Sequence, residues 1–437
     1  MIHKATAGTR TNSTPTVSPQ HHQLLAEIYR LALIHREQPE PTTRDTLNTK
    51  HPKHLDTTDQ RLLYDITLLT KPKRFTSIDR VVLQLLRSFI KIGVKVTPVV
   101  FADGYWRLFQ PLNLDSPPLT GRLSATSLTV EPGDLLLLAE IDYGLPPIAF
   151  AGLLELKRQG LQIGAMVYDM FYLTHPHWFQ PREVLGFYRW LRNLNRVADR
   201  FFCNSQHCAQ HLAHWRQLAS KLLDGRTSVP ISVFPLGADA LGEGSRPGFH
   251  SDTKANGFHL PPGTAPTFLT IAALHYRKGV DLLVQAFDQL WHHGIDTRLV
   301  ISGINRDDGL AAYITGHPEF DKRLFYRGFI GDNELTKLAA DCEALIVPSR
   351  EEGFGLPIVE AVHLGLPVIA NDIDVFREIA DDQLFYFDAR RPGHLATRLT
   401  QWLALDANAK KSLLTQRYAI SWTQSARLLA GLLWEQG

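Results

Sequence analysis

The segment Leu345–Glu378 constrains the fold of this chain more than any other stretch. Its first apolar run ends at Pro348 and has the length and β-branching of a buried strand. A loop with two glycines follows, Pro357 suits the start of a helix, and Gly365 suits its end. The next apolar run, Leu366–Ala370, predicts a second strand. The pattern therefore predicts a β–loop–α–β unit, in which ligands bind at the carboxyl ends of the strands.

Two acidic residues stand out in this unit. Glu352 lies in the loop, and Glu360 lies in the first turn of the predicted helix Ile358–Leu364. The helix dipole stabilises an acid in that position, so Glu360 by itself has a purely structural explanation. Glu352 has no such explanation, because it stands between strand and helix beside Gly353 and Gly355. Glu352 is therefore the first candidate functional residue.

The remainder of the chain predicts two domains. A length of 437 residues exceeds what one hydrophobic core ordinarily serves, and strands alternate with helices in both halves. The segment 241–266 is dense in Gly, Pro, Ser and Asp and is typical of an interdomain connection. The predicted parts are an N-terminal extension at 1–58, a Rossmann-like domain at 59–240, the linker at 241–266, a second Rossmann-like domain at 267–420 and a C-terminal helix at 421–437.

The N-terminal extension has the composition of a largely disordered segment, because it is rich in Thr, His, Pro and Gln. Within it, Leu24–His35 has apolar residues at helical spacing and predicts one helix. That helix either docks on the body or on a partner, or stays loosely attached. The first residues lack the apolar stretch of a signal peptide, and we find no charge-free span long enough to cross a membrane. We therefore expect a cytoplasmic protein.

Composition and charge narrow the classes of partner. The net charge of +2 offers no electrostatic reason to expect nucleic acid, and 21% charged residues is ordinary for a soluble globular protein. The three cysteines are too few for a disulfide framework and indicate a reducing compartment. Lys71, Lys73 and Arg74 form a short basic patch. Such a patch is usually a solvated surface, and peripheral contact with a membrane is the alternative interpretation.

A second loop carries two adjacent cations. Arg277 and Lys278 join the predicted strand Thr267–Ala273 to the predicted helix Val280–His292. Cations at the carboxyl end of a strand and before a helix can bind an anion, and an arginine can hold phosphate oxygens bidentately. A solvated basic loop is the alternative. In a doubly wound sheet this loop and the Glu352 loop rise from the same edge, so their side chains can share one cleft.

Taken together, the motifs resemble those of a known enzyme family. Arg277-Lys278-Gly279, followed by the run EGFGLPIVE from Glu352 to Glu360, is similar to the retaining glycosyltransferases of family 4, which have the GT-B fold. The nearest resemblance is to bacterial mannosyl- and rhamnosyltransferases of polysaccharide assembly. It covers roughly residues 60–435. It also includes Val233–Gly237, Asp374–Glu378 and Ser421-Trp422 and, more weakly, Ile78–Arg80 and Asp169.

The resemblance implies an architecture and a reaction. The fold would be α/β, with two Rossmann-like doubly wound domains facing across a cleft and the C-terminal helix crossing back to the first. The reaction would move a hexose, mannose or similar, from a nucleotide diphosphate sugar to a hydroxyl of a glycan or lipid-linked glycan, with retention of configuration. No cofactor and no divalent metal are expected, because the cations offset the charge of the diphosphate. Asp372-Ile373-Asp374 has the Asp-x-Asp pattern of a metal-binding loop, but it follows the helix and strand beyond the site.

The resemblance also implies roles on the donor side. Arg277 and Lys278 would bind the donor's diphosphate. Glu352 would face the donor sugar as the catalytic residue, and Glu360 would accept hydrogen bonds from the ribose hydroxyls. Backbone amides would lie against the sugar and phosphate, where glycine permits close approach, and these belong to Phe354, Gly355 and Leu356.

The first domain would hold the acceptor. Asp169 follows the predicted strand Gln162–Tyr168, where a role in sugar binding and catalysis competes with that of a turn-initiating residue. Ser77 stands where relatives usually have glycine, and its side chain could narrow the gap to the donor phosphates. His175 precedes Pro176 and either faces the cleft or has a structural role.

Three other classes of function remain open. A dinucleotide oxidoreductase would use Gly353-x-Gly355, but Ile358 replaces the third glycine of that fingerprint. A sugar-nucleotide epimerase of the GT-B fold would form product without an acceptor. A non-enzymatic scaffold would bind nucleotide sugar or glycan without transferring anything.

Overall fold

The structure is a computed structural model that describes residues 19–37, 60–73, 76–115, 117–222, 228–238, 260–261, 263–413 and 420–435. The strands are β1 (Leu62–Asp65), β2 (Val96–Ala102), β3 (Tyr105–Pro111), β4 (Gly121–Leu123), β5 (Leu135–Leu138), β6 (Gln162–Val167), β7 (Arg200–Cys203), β8 (Ile231–Val233), β9 (Thr267–Ile271), β10 (Arg298–Ser302), β11 (Leu324–Tyr326), β12 (Ala344–Val347), β13 (Val368–Asn371) and β14 (Phe385–Phe387). The α-helices are α1 (Pro19–Glu37), α2 (Ser77–Lys91), α3 (Pro147–Arg158), α4 (Phe171–Thr174), α5 (Pro181–Val197), α6 (Gln206–Leu218), α7 (Val280–His292), α8 (Asp308–Thr315), α9 (Asp332–Ala340), α10 (Leu356–His363), α11 (Asp374–Ala380), α12 (His394–Ala404), α13 (Ala407–Ser412) and α14 (Trp422–Trp434).

Two sheets organise these elements. The first has eight strands in the order β4-β3-β2-β1-β5-β6-β7-β8, and the second has six in the order β11-β10-β9-β12-β13-β14. The second sheet is parallel throughout, whereas β3 and β4 add an antiparallel edge to the first. The central strands β1, β5 and β12 are buried at every residue. Burial along the whole strand is typical of parallel strands covered by helices on both faces. We call the two sheets with their packed helices the first lobe and the second lobe.

The strand order of the second sheet determines where a ligand can bind. The chain passes from β9 outwards to β10 and β11 on one side, and β12 then starts the other half of the sheet beside β9. This reversal is a topological switch point, where the loops after two neighbouring strands diverge and leave a crevice. The loop after β9 contains Arg277 and Lys278, and the loop after β12 contains Glu352. The two candidate motifs therefore rise from adjacent strands.

The C-terminal helix α14 returns to the first lobe, as expected. It packs against α2. The Ser425 hydroxyl donates to the Pro235 carbonyl at 2.6 Å, and Arg200 donates to the Leu432 carbonyl at 2.6 Å. Trp422 and Leu429 are buried in the core shared with the first lobe. The last element in the sequence is thus part of the packing of the first sheet.

Several element boundaries differ from the sequence-based expectation. The strand predicted at Leu62–Leu69 ends at Asp65, because the buried Glu140 accepts hydrogen bonds from the Leu68 and Leu69 amides and stabilises a short 3-10 helix there. The patterns did not predict the β3–β4 hairpin, strand β14 or helices α4, α6, α11, α12 and α13.

Helix α1 contains the apolar patch expected at Leu24–His35 and docks on the first lobe. Ile28 and Leu31 are buried in that lobe's core. The helix contacts α4, α5 and α6, and the Tyr29 hydroxyl donates to the Pro176 carbonyl at 3.3 Å. The rest of the predicted extension, and most of the predicted linker, lie outside the described residues.

Gly237→Ala should destabilise the protein by displacing α14. An added Cβ at Gly237 would overlap the backbone of Trp422, and backbone atoms cannot move aside as a flexible side chain can. We expect a loss of about 1–3 kcal/mol in the free energy of unfolding, typical of overpacking. Denaturant unfolding would measure it. Gly331→Ala is the matched control, because a Cβ there meets nothing within 4 Å. Equal stability of the two variants would contradict this account of the packing.

Candidate active site

The loop after β9 is held against the end of β12 by a glycine. Tyr276–Lys278 forms one 3-10 turn, and Gly279 ends it with a φ of +66°, a conformation that side chains disfavour. A Cβ at Gly279 would overlap the Pro348 carbonyl oxygen. The Arg350 amide donates to the Arg277 carbonyl at 2.7 Å. The glycine thus allows the close approach that brings the cations to the second loop.

Glu352 is the centre of a buried cluster of charges. Only 7% of its surface is exposed. The Arg277 guanidinium donates to Glu352 Oε2 at 3.0 Å and to the Glu351 carbonyl at 3.0 Å. Lys278 forms an ion pair with Glu352 Oε1, and the Ser349 hydroxyl donates to the same oxygen at 2.8 Å. The structure therefore joins Arg277, Lys278 and Glu352 directly, which the sequence predicted only as a shared cleft.

The cations determine the charge state of Glu352. Burial raises its pKa, but the adjacent Lys278 and Arg277 outweigh burial and lower the pKa to about 2. Burial in turn lowers the pKa of Lys278, although the Glu352 carboxylate opposes that shift. At neutral pH Glu352 is ionised between two cations, so these three side chains together carry a net charge of +1 (two positive charges and one negative). Such a cluster can attract an incoming anion.

Asp169 of the first lobe lies opposite this cluster. It follows β6, and its Oδ1 is buried with no hydrogen-bond partner among the residues that the structure describes. Burial raises the pKa of Asp169, while Arg277 opposes the shift; Glu352 raises it as well. Asp169 therefore belongs to the same electrostatic environment as the second-lobe cluster, although it comes from the other lobe.

The Glu352 loop touches the first lobe through Gly353. A Cβ at Gly353 would overlap the Tyr168 carbonyl oxygen and lie 3.2 Å from the Cβ of Asp169. The buried Ser205 hydroxyl donates to the Gly353 carbonyl at 2.6 Å. Backbone contact this close requires glycine, which explains the residue after Glu352 without reference to a ligand.

A second contact between the lobes involves Glu378 of α11. Its carboxylate accepts hydrogen bonds from the amides of Gln206 at 2.7 Å and His207 at 3.0 Å. These amides belong to the first turn of α6, which the helix dipole makes favourable for an anion. Sequence reasoning recognised the Asp374–Glu378 motif but did not assign this function to it.

Aromatic side chains surround the cation loop. The Arg277 guanidinium lies 4.8 Å from the ring centre of Phe171. His175 is buried and stacks on Trp178 with ring centres 4.1 Å apart. The Trp178 ring in turn lies 5.9 Å from that of Tyr276. His175 therefore lies in the packed wall beside the site, and its contacts support the structural interpretation.

Glu360 pairs with a residue that sequence reasoning had not assigned to the site. The helix α10 begins at Leu356, so Glu360 lies in its second turn, and the prediction of a first-turn acid is wrong. The Glu360 carboxylate forms an ion pair with Arg80 of α2, and both side chains are buried. The only signal in the sequence was the weak resemblance of Ile78–Arg80. Ser77, the first residue of α2, is exposed one turn earlier.

The segment between the two acids turns sharply into α10. Phe354 is buried, with 5% of its surface exposed. Gly355 has a φ of +112°, and a Cβ there would lie 2.9 Å from the Phe376 ring. Leu356 is the first residue of the helix. The three residues whose amides were expected to meet a ligand thus form the strand-to-helix turn.

Among the residues that the structure describes, no group of three or more His, Cys, Asp or Glu side chains is placed to hold a metal ion. No helix in that part of the chain is long and apolar enough to span a bilayer.

In the basic patch, Lys71 pairs with Asp142 at 3.3 Å and Lys73 with Asp79 at 2.6 Å, whereas Arg74 lies outside the described residues.

The architecture is that of GT-B glycosyltransferases. The chain aligns with the sucrose-phosphate synthase of Thermosynechococcus elongatus with a TM-score of 0.58 and 17% identity over 85% of this chain and 98% of that one. The Anabaena protein Alr3699/HepE, solved with UDP and glucose, aligns with a TM-score of 0.53 and 15% identity over 86% of this chain and 99% of that one. These similarities establish the fold.

The sequence comparisons identify the second lobe. Residues 252–419, which include most of the second lobe, match the model of Glycosyl transferases group 1. Over 378 residues the chain is 31% identical to the Serotype-specific mannosyltransferase WbdA of Escherichia coli. That alignment covers 85% of this chain and 46% of the relative, so the chain spans about half the length of the relative.

Glu352→Gln should change how stability depends on pH. The folded-state pKa of Glu352 is lowered from 4.5 to about 2, so the contribution of its charge is present above pH 4.5 and is lost as the pH falls towards 2. The wild type should therefore have the higher melting temperature at neutral pH, and the difference should narrow as the wild-type carboxyl is protonated. Thermal unfolding followed by circular dichroism would measure this.

Glu155→Gln is the control for this measurement. Glu155 forms an exposed pair with Arg158 on α3, and solvent screens such a pair. The melting temperature of Glu155→Gln should stay close to that of the wild type at each pH. A Glu352→Gln difference that does not vary with pH would contradict the proposed charge state.

Proposed function

We propose that this chain is a retaining hexosyltransferase that uses a nucleotide diphosphate sugar as donor and a glycan or lipid-linked glycan as acceptor. One observation carries the proposal: Glu352 is held between Arg277 and Lys278 at the switch point of the second sheet, with Asp169 of the first lobe opposite. Two cations beside a crevice can bind a diphosphate, and two carboxyl groups from different lobes can accept hydrogen bonds from sugar hydroxyls. The match of residues 252–419 to the group 1 model supports the same reaction class.

Mannose and polysaccharide assembly are the finer part of the proposal. One relative is named a serotype-specific mannosyltransferase, and another is named O-antigen chain mannosyltransferase B, with 28% identity over 144 residues. The latter alignment covers 32% of this chain and 37% of that relative. Because the chain spans only part of these proteins, we transfer the sugar and the acceptor class to it as proposals. A lipid-linked acceptor would bring a cytoplasmic enzyme to the membrane surface.

The charge cluster provides a route for the leaving group. Arg277 and Lys278 bind the diphosphate, and their positive charge stabilises the negative charge that develops when the bond to the sugar breaks. Binding would draw the cations from the Glu352 carboxylate, which can then face the sugar. No metal ion enters this scheme, because the two cations take that role.

The proposed step is a front-face substitution. The bond between the anomeric carbon and the diphosphate oxygen breaks, and the acceptor oxygen forms its bond on the same face. The acceptor proton passes to the departing phosphate oxygen. Glycoside hydrolases instead use two carboxyl groups across the scissile bond. Here Glu360 is assigned to the ribose, and Asp169, with its buried Oδ1, is assigned to a sugar hydroxyl.

Lys278→Met and Arg277→Met should each weaken nucleoside diphosphate binding. A hydrogen bond to a charged group contributes about 1.5–3 kcal/mol, which corresponds to a loss of about 10- to 100-fold in affinity. Titration calorimetry with GDP, UDP and ADP would measure it. Lys410→Met is the control, because it removes an ion pair with Glu343 elsewhere in the second lobe. Unchanged affinity in both site variants would contradict the assignment of the cations.

Glu352→Ala should abolish sugar transfer while leaving the fold intact. Its carboxylate is the group assigned to the donor sugar, so turnover depends on it. We would assay UDP-, GDP-, ADP- and dTDP-sugars with a panel of glycan acceptors and determine the anomeric configuration of the product by NMR. Glu343→Ala should retain activity. Undiminished transfer by Glu352→Ala would remove the role assigned to Glu352. A wild-type product with inverted anomeric configuration would overturn retention. A wild-type product formed without an acceptor would favour an epimerase.

A further inference from the structure

The ion pair between Arg80 and Glu360 links the two lobes. Arg80 is the fourth residue of α2, and Glu360 lies in α10 of the second lobe. Only 7% of Arg80 and 4% of Glu360 are exposed. Arg80 Nη1 contacts Glu360 Oε1, whereas Nη2 is buried and has no hydrogen-bond partner among the described residues. The guanidinium is thus paired on one side only.

Neighbouring groups do not account for the second nitrogen. The adjacent Asp79 carboxylate accepts hydrogen bonds from Lys73 at 2.6 Å and from the Thr76 amide at 2.8 Å, as part of the cap of α2. A buried guanidinium with an unpaired N–H is costly, because that group loses its hydrogen bonds to water without replacement. A buried ion pair is also no strong source of stability by itself. The arrangement therefore calls for a further partner.

We propose that Arg80 is a donor-binding residue and that, together with Glu360, it recognises the ribose diol of the nucleotide. This inference rests on the proposed function, in which Glu360 meets the ribose. Nη1 and Nη2 belong to the same guanidinium, so the unsatisfied Nη2 is adjacent to the nitrogen that contacts Glu360. A carboxylate only accepts hydrogen bonds and a guanidinium only donates them, while each hydroxyl does both. The pair is thus complementary to two adjacent hydroxyls.

The consequence is a preference for ribonucleotides. If the 2′-hydroxyl accepts from Arg80 Nη2 while its neighbour donates to Glu360, a 2′-deoxyribose leaves the buried Nη2 without that partner. A site built to pair a hydroxyl discriminates strongly against an analogue that lacks it. The donor class is therefore a ribonucleoside diphosphate sugar, and each lobe supplies one half of the recognition.

The test compares ribo- and deoxyribonucleotides. Titration calorimetry would measure the affinity of the full chain for GDP, UDP, 2′-deoxy-GDP and 2′-deoxy-UDP. For the base that the protein accepts, the wild type should bind the ribonucleotide at least about tenfold more tightly than the 2′-deoxyribonucleotide. Arg80→Met should lose about tenfold for the ribonucleotide and little for the deoxy form, so that the ratio approaches one. Arg80→Lys keeps the positive charge but lacks the planar set of N–H donors of a guanidinium, so it should regain part of that ratio.

Two further variants make the result decisive. Arg80→Met/Glu360→Gln removes both buried charges, so it tests the ratio in a protein that lacks the Glu360 carboxylate as well. Arg87→Met is the matched control on the same helix, because Arg87 donates to the Leu114 carbonyl at 2.9 Å and should leave the ratio unchanged. Melting curves would establish that each variant is folded.

The possible outcomes separate this inference from the proposed function. Equal affinity of the wild type for both sugars would overturn the inference while nucleoside diphosphate binding still stands. An equal loss for both sugars in Arg80→Met would assign Arg80 to the diphosphate or to lobe contact and would also overturn it. Tighter binding by Arg80→Met would mean that the ion pair blocks the site, and it would overturn the inference. A wild type that binds none of the four nucleotides and no ADP would overturn both proposals.

Discussion

The pairing of Glu352 with Arg277 and Lys278 is the interaction on which the rest of the site depends. Burial disfavours the charge of Glu352, and this carboxylate stays ionised at neutral pH because Lys278 and Arg277 compensate it at hydrogen-bond distance. That distance requires two loops, 75 positions apart in the chain, to be held together. The adjacency of β9 and β12 provides this, and the close approach of Gly279 to Pro348 completes it.

The first lobe completes the site through contacts that admit few alternative residues. Gly353 lies against the Tyr168 backbone, and Ser205 donates to its carbonyl. Glu378 satisfies amides at the start of α6. The motifs around the two acids therefore serve the lobe interface as well as the candidate chemistry. A glycine or glutamate in such a motif has two physical reasons to be there, and its presence alone does not distinguish them.

Sequence reasoning was most accurate where periodicity is long or burial is complete. Helix Val280–His292 and strand Arg298–Ser302 have the predicted bounds, because an amphipathic helix and a continuous apolar strand are local signals. The β3–β4 hairpin and the three-residue strand β14 were missed, since short strands depend on their neighbours more than on their own composition. Glu360 was placed one turn too early, because Leu356 already begins the helix.

The resemblance of its motifs to a known family implied the GT-B class of fold. The sequence by itself determined the alternation of strands and helices and the two loops that carry the cations and the acids. Those features depend on local periodicity, glycine positions and motif spacing, which the chain displays directly. Only the tertiary structure decided that Lys278 and Arg277 form ion pairs with Glu352, that Asp169 lies opposite them, and that Arg80 pairs with Glu360. The last pair joins residues 280 positions apart, and no local pattern specifies a contact that arises only when two lobes pack together.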